Sequence, residues 1–262
     1  MPRMPEEPRA LRGAAIVTGG ASGLGAACAE RLHAEGMGVL VADRDAERGE
    51  ALAERLGERA AFAATDVTDA AAVEAAVAAA AGLAPEGLRL SVACAGIAPA
   101  ERVVSRRGPH SPDTFAQVIA VNLLGTFHLL RAAAAAMASN EPLGDERGLH
   151  VSTASAAAYE GQVGQVAYSA SKGGVVGLTL PAARDLAQHG VRVCAIAPGL
   201  FDTPLMQTLP DAAREALGNA APFPQRLGRP DEFAELVVAI ARNPMLNGET
   251  IRLDGALRLA PR

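Results

Sequence analysis

The feature that most limits what this chain can fold into is an alternation, sustained from Ala14 to Leu253, of short apolar runs with longer stretches whose apolar residues recur every three or four positions. The apolar runs are Ala14–Val17, Gly38–Ala42, Ala60–Ala64, Leu88–Ala93, Leu149–Ser152, Val191–Ala197 and Glu249–Leu253. The helical period occupies Ala21–Glu35, Ala46–Leu56, Ala70–Gly82, Asp113–Ser139, Val166–Gln188 and Asp231–Ala241. Strand, helix, strand repetition supplies the crossovers that parallel pairing needs, so the pattern predicts an α/β fold: a doubly wound, seven-stranded, mostly parallel sheet with helices on both faces. Thr68 or Asp69, Ser111 with Pro112, and Pro230 with Asp231 mark helix starts. No break in composition divides the chain, so residues 1–262 read as one domain, with 1–12 a flexible N-terminal segment.

Composition narrows the function classes. Hydrophobic residues make up 50% of the chain but aromatics only 3%, so the core must rest on Ala, Val, Leu and Ile. A formal charge of −5 with scattered basic residues leaves no footprint for nucleic acid or an anionic membrane surface. No uncharged apolar span reaches the roughly 18 residues a membrane helix needs, and the first residues lack an apolar leader, which points to the cytoplasm. Cys28, Cys94 and Cys194 match no metal-ligand or CxxC spacing and read as buried or near-site thiols, with no disulfide and no metal site expected.

The run Ala14 to Gly25 passes from a strand through Thr18-Gly19-Gly20-Ala21-Ser22-Gly23-Leu24-Gly25 into a helix. Glycines there let backbone approach a diphosphate, and the helix start offers N–H groups and a partial positive charge, although structural turns use the same residues. Asp43 ends the second apolar run eighteen residues beyond Gly25, where a carboxylate can accept from ribose hydroxyls. A 2′-phosphate beside it would meet repulsion on the order of 4 kcal/mol, which favours NAD over NADP. Arg44 argues the other way, because its guanidinium could pair with that phosphate, and Asp43 could also be a plain helix cap. Asp66 and Val67, after the third strand, suit an adenine ring or a helix cap, and Cys94-Ala95-Gly96 lets main chain lie close to a ligand.

Tyr168 and Lys172, four apart, share one helical face. An ammonium beside the phenol favours phenolate by about 4 kcal/mol at an effective dielectric near 20, nearly three pKa units, enough to bring a phenol that titrates near 10 toward neutrality. The chain has 23 arginines and a single lysine, Lys172, so a compact ammonium is retained where Arg would serve everywhere else. Ser155, thirteen residues before Tyr168, can bond a substrate oxygen beside the phenol; Ser152 and Thr153 are rivals that could simply satisfy backbone at a strand end.

Thr18-Gly19-x-x-x-Gly23-x-Gly25, Asp43, Cys94-Ala95-Gly96, Asn122 in Val121-Asn122-Leu123, Ser155, Tyr168-x-x-x-Lys172 and Pro198-Gly199 together resemble the short-chain dehydrogenases/reductases, over almost the whole chain. Within that superfamily Ala158 to Lys172, Pro198 to Pro204, Pro222-Phe223-Pro224 and Leu246-Asn247-Gly248-Glu249 resemble the type 2, short-chain 3-hydroxyacyl-CoA dehydrogenases, also described as hydroxysteroid dehydrogenases. The resemblance implies a Rossmann fold, an NAD-dependent oxidation of a secondary hydroxyl and its reversal, and a catalytic tetrad of Asn122, Ser155, Tyr168 and Lys172, Asn122 sitting in a helix distortion. It places Gly19, Ser22, Gly23, Leu24, Gly25, Asp43, Asp66, Val67 and Cys94 around the adenosine and diphosphate, with Phe201 and Thr203 by the nicotinamide. Gln162 and Gln165 would wall the substrate site, and relatives of this kind form tetramers, an interface to which the strand ending near Arg252 could contribute.

Ile97 to His110 aligns with the family's inserted substrate loop but looks slightly shorter, and carries Arg102, Arg106 and Arg107. These arginines suit a CoA phosphate, or form a solvated basic loop. A steroid, a 3-oxoacyl carrier-protein ester, another secondary alcohol, or a non-catalytic binding scaffold are the rival readings; the complete tetrad and the absence of a basic face weigh against the scaffold.

Overall fold

The computed structural model describes residues 10–207 and 217–261. The expectation of a flexible leader therefore falls mostly, at residues 1–9, outside the described residues. The strands are β1 (Ala14–Thr18), β2 (Gly38–Asp43), β3 (Ala60–Ala64), β4 (Leu88–Ala93), a short hairpin β5 (Val104–Ser105) and β6 (Gly108–Pro109), then β7 (Gly148–Thr153), β8 (Val191–Pro198) and β9 (Thr250–Leu253). Apart from the hairpin they form one seven-stranded sheet in the order β3-β2-β1-β4-β7-β8-β9, and every pair in it is parallel. The order reverses direction between β1 and β4, which opens a crevice at the carboxyl ends of those strands.

Side-chain alternation sorts the continuous apolar runs between two helical layers. Ala15 and Val17 of β1 face α1 (Gly23–Ala34), α2 (Ala46–Leu56) and α8 (Pro230–Arg242), where Leu32, Leu52, Phe233 and Val237 fill the core. Ile16 faces the opposite way, toward α3 (Ala70–Ala81) and α5 (Gly125–Ala138), which contribute Val73, Val77, Leu129 and Met137. The same layer continues with α6 (Val166–Leu186), whose Val175 and Ala183 cover β8. The low aromatic content is consistent with these close layers: α3 is built largely from alanine.

The helix starts are set by local chemistry. Asp69, not Thr68, caps α3, its carboxylate accepting from the Ala71 and Ala72 N–H groups, and the Ser111 hydroxyl accepts from Thr114 N–H at the start of α4 (Pro112–Ile119). One expectation needs amending. The single helix expected over Asp113–Ser139 is interrupted by a π-helical turn at Ala120–Leu124 that separates α4 from α5. The combined segment Pro112–Ala138 is long and apolar enough to cross a membrane by composition, yet Val118, Leu129, Leu130, Ala133 and Met137 are buried in the core.

Candidate active site

The glycine turn after β1 is shaped so that backbone alone meets a ligand. Gly19 and Gly23 have φ of 64° and 53°, in the left-handed region that favours glycine. A Cβ on Gly25 would stand 2.1 Å from Gly19 O, so α1 reaches the turn only without a side chain there. Ser22, at the N-cap, makes no side-chain capping bond, and the first N–H groups of α1 point out of the helix toward the crevice, with Leu24 turned partly into the core. Thr203, just before the short helix α7 (Pro204–Gln207), returns over this turn: a Cβ on Gly23 would lie 3.5 Å from Thr203 Cβ.

Asp43, at the end of β2, is not a helix cap; Asp45 caps α2 by accepting from Arg48 N–H. The Asp43 carboxylate instead accepts from Ala21 N–H and from Asp45 N–H, both at 3.0 Å, which leaves two of its roughly four acceptor positions directed outward. Asp66 accepts from Thr68 N–H at 2.9 Å and Thr68 Oγ1 at 2.7 Å, and these bonds hold its carboxyl below the usual range. Arg44 Nε lies 3.6 Å from Asp66 Oδ2, so the guanidinium leans toward Asp66. Val67 is buried against Gly125, and its carbonyl accepts from the His128 ring at 2.9 Å. A glycine cradle that any Cβ would fill, an uncapped helix start and an oriented carboxylate fit a dinucleotide.

At the other side of the crevice, Tyr168 and Lys172 sit on the first turns of α6, and Ser155 follows β7. The Ser155 hydroxyl accepts from Ala157 N–H at 3.1 Å and shares a hydrogen bond with the Tyr168 phenol. Lys172 is buried, donates to Thr153 O at 2.7 Å, and stands 5.8 Å from the centre of the Tyr168 ring. Burial pushes its ammonium down to about 8. This corrects the expectation for Tyr168: desolvation raises the phenol above its ordinary value, the Ser155 bond only partly offsetting it.

Asn122 lies inside the π-helical turn and is fully buried. Its carboxamide accepts from Ile97 N–H at 2.8 Å and donates to Ile97 O at 2.9 Å and to Ser171 Oγ at 3.0 Å. A Cβ on Gly96 would come within 3.3 Å of Asn122 Oδ1 and 3.7 Å of Lys172 Nζ, so this glycine keeps the two side chains adjacent. The rivals of Ser155 have other partners: Ser152 is buried with its hydroxyl 2.9 Å from His150 Nε2, and Thr153 Oγ1 donates to Cys94 Sγ at 3.5 Å. The Cys94 thiol is held below its usual range, by Cys28 first and then Thr153 and Lys172, against burial.

Three expected site residues turn their side chains to other partners. The Phe201 ring packs into the core, edge-on to Phe233 with centroids 6.4 Å apart. Gln162 turns its side chain to the C-terminal tail, donating to Ala260 O at 2.9 Å, while Gln165 Oε1 accepts from Gln162 N–H at 3.0 Å; both brace the loop rather than project freely. Sequence reasoning missed the roles of Ser171 and of the Thr153 carbonyl; Ser171 lies within the Tyr168-Ser169-Ala170-Ser171-Lys172 run, but an acceptor on the main chain carries no residue signature. Among the described residues no group of His, Cys, Asp and Glu is arranged to hold a metal ion.

A parallel sheet with a glycine cradle at its switch point, and a Tyr, Lys and Ser converging beside it, defines a nicotinamide-dependent oxidoreductase of the Rossmann class. The family model of the short chain dehydrogenases matches residues 13–214, and the chain belongs to that family. It is 52% identical over 260 residues to the 3-hydroxyacyl-CoA dehydrogenase type-2 of Bos taurus, covering 97% of this chain and 98% of that one. The Homo sapiens protein of the same name is 51% identical over 257 residues, covering 97% and 98%. A crystal structure of 3-hydroxyacyl-CoA dehydrogenase type-2 from Mycobacterium avium superposes with a TM-score of 0.90 at 48% identity, over 95% of this chain and 97% of that one.

Proposed function

We propose that this oxidoreductase interconverts a 3-hydroxyacyl-CoA and the 3-oxoacyl-CoA with NAD as cofactor, in fatty-acid or branched-chain amino-acid breakdown, 2-methyl-3-hydroxyacyl-CoA included. The observation that carries the chemistry is the convergence of Tyr168, Ser155 and Lys172 beside the Thr18–Gly25 turn. The name and the roughly half-identical sequence of the relatives above support the acyl-CoA substrate.

The Gly19–Gly25 backbone, Asp43, Asp66, Val67, Cys94 and Thr203 would hold the cofactor. When bound, NAD supplies the hydride acceptor and a positive ring near the phenol. In the oxidative direction Tyr168 Oη takes the hydroxyl proton of the substrate as the carbon–hydrogen bond gives up its hydride. Ser155 Oγ donates to the developing oxyanion, and Lys172 favours the phenolate. Asn122 fixes the backbone at Ile97 and, through Ser171, the helix that carries Lys172. On the entrance loop, Arg102, Arg106 and Arg107 are exposed around the hairpin β5–β6, which suits the phosphates of CoA.

Reading nicotinamide absorbance with acetoacetyl-CoA, in parallel with NADH and NADPH and with a steroid ketone for comparison, tests the proposal. NADH-specific turnover of the thioester is expected; activity on a different ketone alone would retain the mechanism and reject the substrate. Neutralising the three loop arginines should weaken acyl-CoA affinity while sparing a small alcohol. We also infer one catalytic domain, a cytoplasmic location from the three free thiols, and a homotetramer, for which exposed Phe115, Leu124 and Phe127 and the open edge of β9 are the supporting features.

A further inference from the structure

The loop between Ser155 and Tyr168 is tied to the far end of the chain by a cluster of charges. Both Glu160 oxygens are engaged by Arg252, Nη1 to Oε1 at 2.6 Å and Nη2 to Oε2 at 2.7 Å. Arg252 also donates Nε to Asp254 Oδ2 at 2.7 Å and Nη2 to Leu257 O at 3.1 Å, and its guanidinium lies 5.1 Å from the centre of the Tyr159 ring. Arg258 reaches Asp254 Oδ2 at 3.2 Å and Glu160 Oε1 at 3.5 Å. A forked, multiply bonded guanidinium is directional in a way that a single exposed ion pair is not.

Both sides of this cluster lead to the active site. A Cβ on Gly199 would be 2.8 Å from Asp254 Cβ, so Asp254 leans on the turn that carries the chain from β8 to Thr203. Glu160 belongs to the loop that enters α6 two residues before Tyr168. Beyond the cluster the tail continues along that loop: Gln162 Nε2 donates to Ala260 O at 2.9 Å and Val163 N–H to Pro261 O at 3.0 Å. The tail turn is held in an unfavourable conformation. Ala256, with φ of 63°, is the one non-glycine residue in the left-handed region among the described residues, and its N–H donates to Asp254 Oδ1 at 3.0 Å.

We propose that Arg252 and Glu160 are positioning residues that register the substrate-side loop against the nicotinamide-side turn, and that the tail they anchor, residues 257–261, forms a fixed wall of the substrate entrance. The wall governs acyl-substrate affinity and leaves the hydride step intact. The inference rests on the oxidoreductase reading and on the 159–165 loop bordering the substrate.

Arg252→Met should raise KM for acetoacetyl-CoA by about tenfold or more, with kcat within about threefold and NADH affinity, read by nicotinamide fluorescence, within about twofold. Arg252→Lys, unable to fork, should recover little, and Glu160→Gln combined with Arg252→Met should be no worse than either alone. A chain ending at Arg258 keeps the cluster but removes the carbonyls of Ala260 and Pro261, and should show the same KM effect even where Arg252→Met fails to fold. Unchanged KM in the folded variants, or a parallel loss of kcat and NADH affinity, would overturn the proposal. If the wild type ignores acetoacetyl-CoA yet reduces another ketone, the substrate reading fails separately and the variants are compared on that ketone.

Discussion

Lys172 Nζ stands 5.8 Å from the centre of the Tyr168 ring while donating at 2.7 Å to the carbonyl of Thr153, so the ammonium that sits beside the phenol is anchored to the main chain. Lys172 is buried and Tyr168 half-buried, and desolvation acts on them in opposite senses: it raises the phenol and lowers the ammonium. The protein's own groups therefore leave Tyr168 protonated at neutral pH, ready to donate in the reductive direction. To act as a base it would need a further positive charge beside it, which a bound NAD would supply.

The titration of Tyr168 can be read in isolation, because the chain has two tyrosines and no tryptophan. In a Tyr159→Phe variant the ultraviolet phenolate band should titrate above the ordinary phenol value of about 10 without cofactor. Adding NAD should move it down, and Ser155→Ala should move it further up by removing the bond that lowers it. Phenolate appearing at or below the ordinary value in the cofactor-free protein would contradict the dominance of burial. Tyr168→Phe should abolish turnover while leaving NADH affinity nearly intact.

For Lys172 the sign follows from a folded value of about 8 against 10.5 for a free lysine. Between those values only the unfolded chain holds the proton, so stability contributed by this site rises with pH across the window and is lost as pH falls through about 8. The difference in unfolding free energy between wild type and Lys172→Met should grow in favour of wild type by about 3 kcal/mol from the bottom to the top of that window. Denaturant titrations at a series of pH values measure it; parallel profiles for the two proteins would show that burial does not depress Lys172.

Asp43 is oriented by Ala21 N–H and Asp45 N–H, and Arg44 is drawn to Asp66. Asp43→Asn should retain one of the two backbone bonds, since its carboxamide offers a single acceptor oxygen, and remove the charge. The preference for NADH over NADPH should then fall by up to about three decades, the equivalent of about 4 kcal/mol of repulsion. Equilibrium binding followed by nicotinamide fluorescence is the readout. Adding Arg44→Ala should leave most of the gain in NADPH affinity in place, because the guanidinium is drawn to Asp66. An unchanged preference in Asp43→Asn would remove the carboxylate as the discriminator.

His150 is a buried histidine between two serines, its Nδ1 2.8 Å from Ser91 Oγ and its Nε2 2.9 Å from Ser152 Oγ, and burial lowers it to about 3. Its contribution to stability is complete above the free histidine value of 6.5 and is lost as pH falls toward about 3. Wild type should lose about 1 kcal/mol per pH unit more than His150→Leu between pH 6 and 4. Equal slopes in urea unfolding would mean that the ring takes up a proton in the folded state.

Much of the molecule was legible in the amino-acid order, because the relevant forces are local. Alternating runs gave away the strands and helices to within a few residues, since burial on both faces of a parallel strand demands continuous apolar residues. Spacing placed Tyr168 and Lys172 on one helical face, and the glycines of Thr18–Gly25 marked a turn that no side chain can enter. What tertiary structure alone decided was where each group found its partner. Asn122 acts through a π-helical turn whose carboxamide meets Ile97 and Ser171; Lys172 meets the Thr153 carbonyl; Phe201 turns to Phe233, and Gln162 to Ala260. Such contacts join residues tens of positions apart, several end on backbone carbonyls common to every residue type, and burial can reverse the pKa shift that spacing alone suggests.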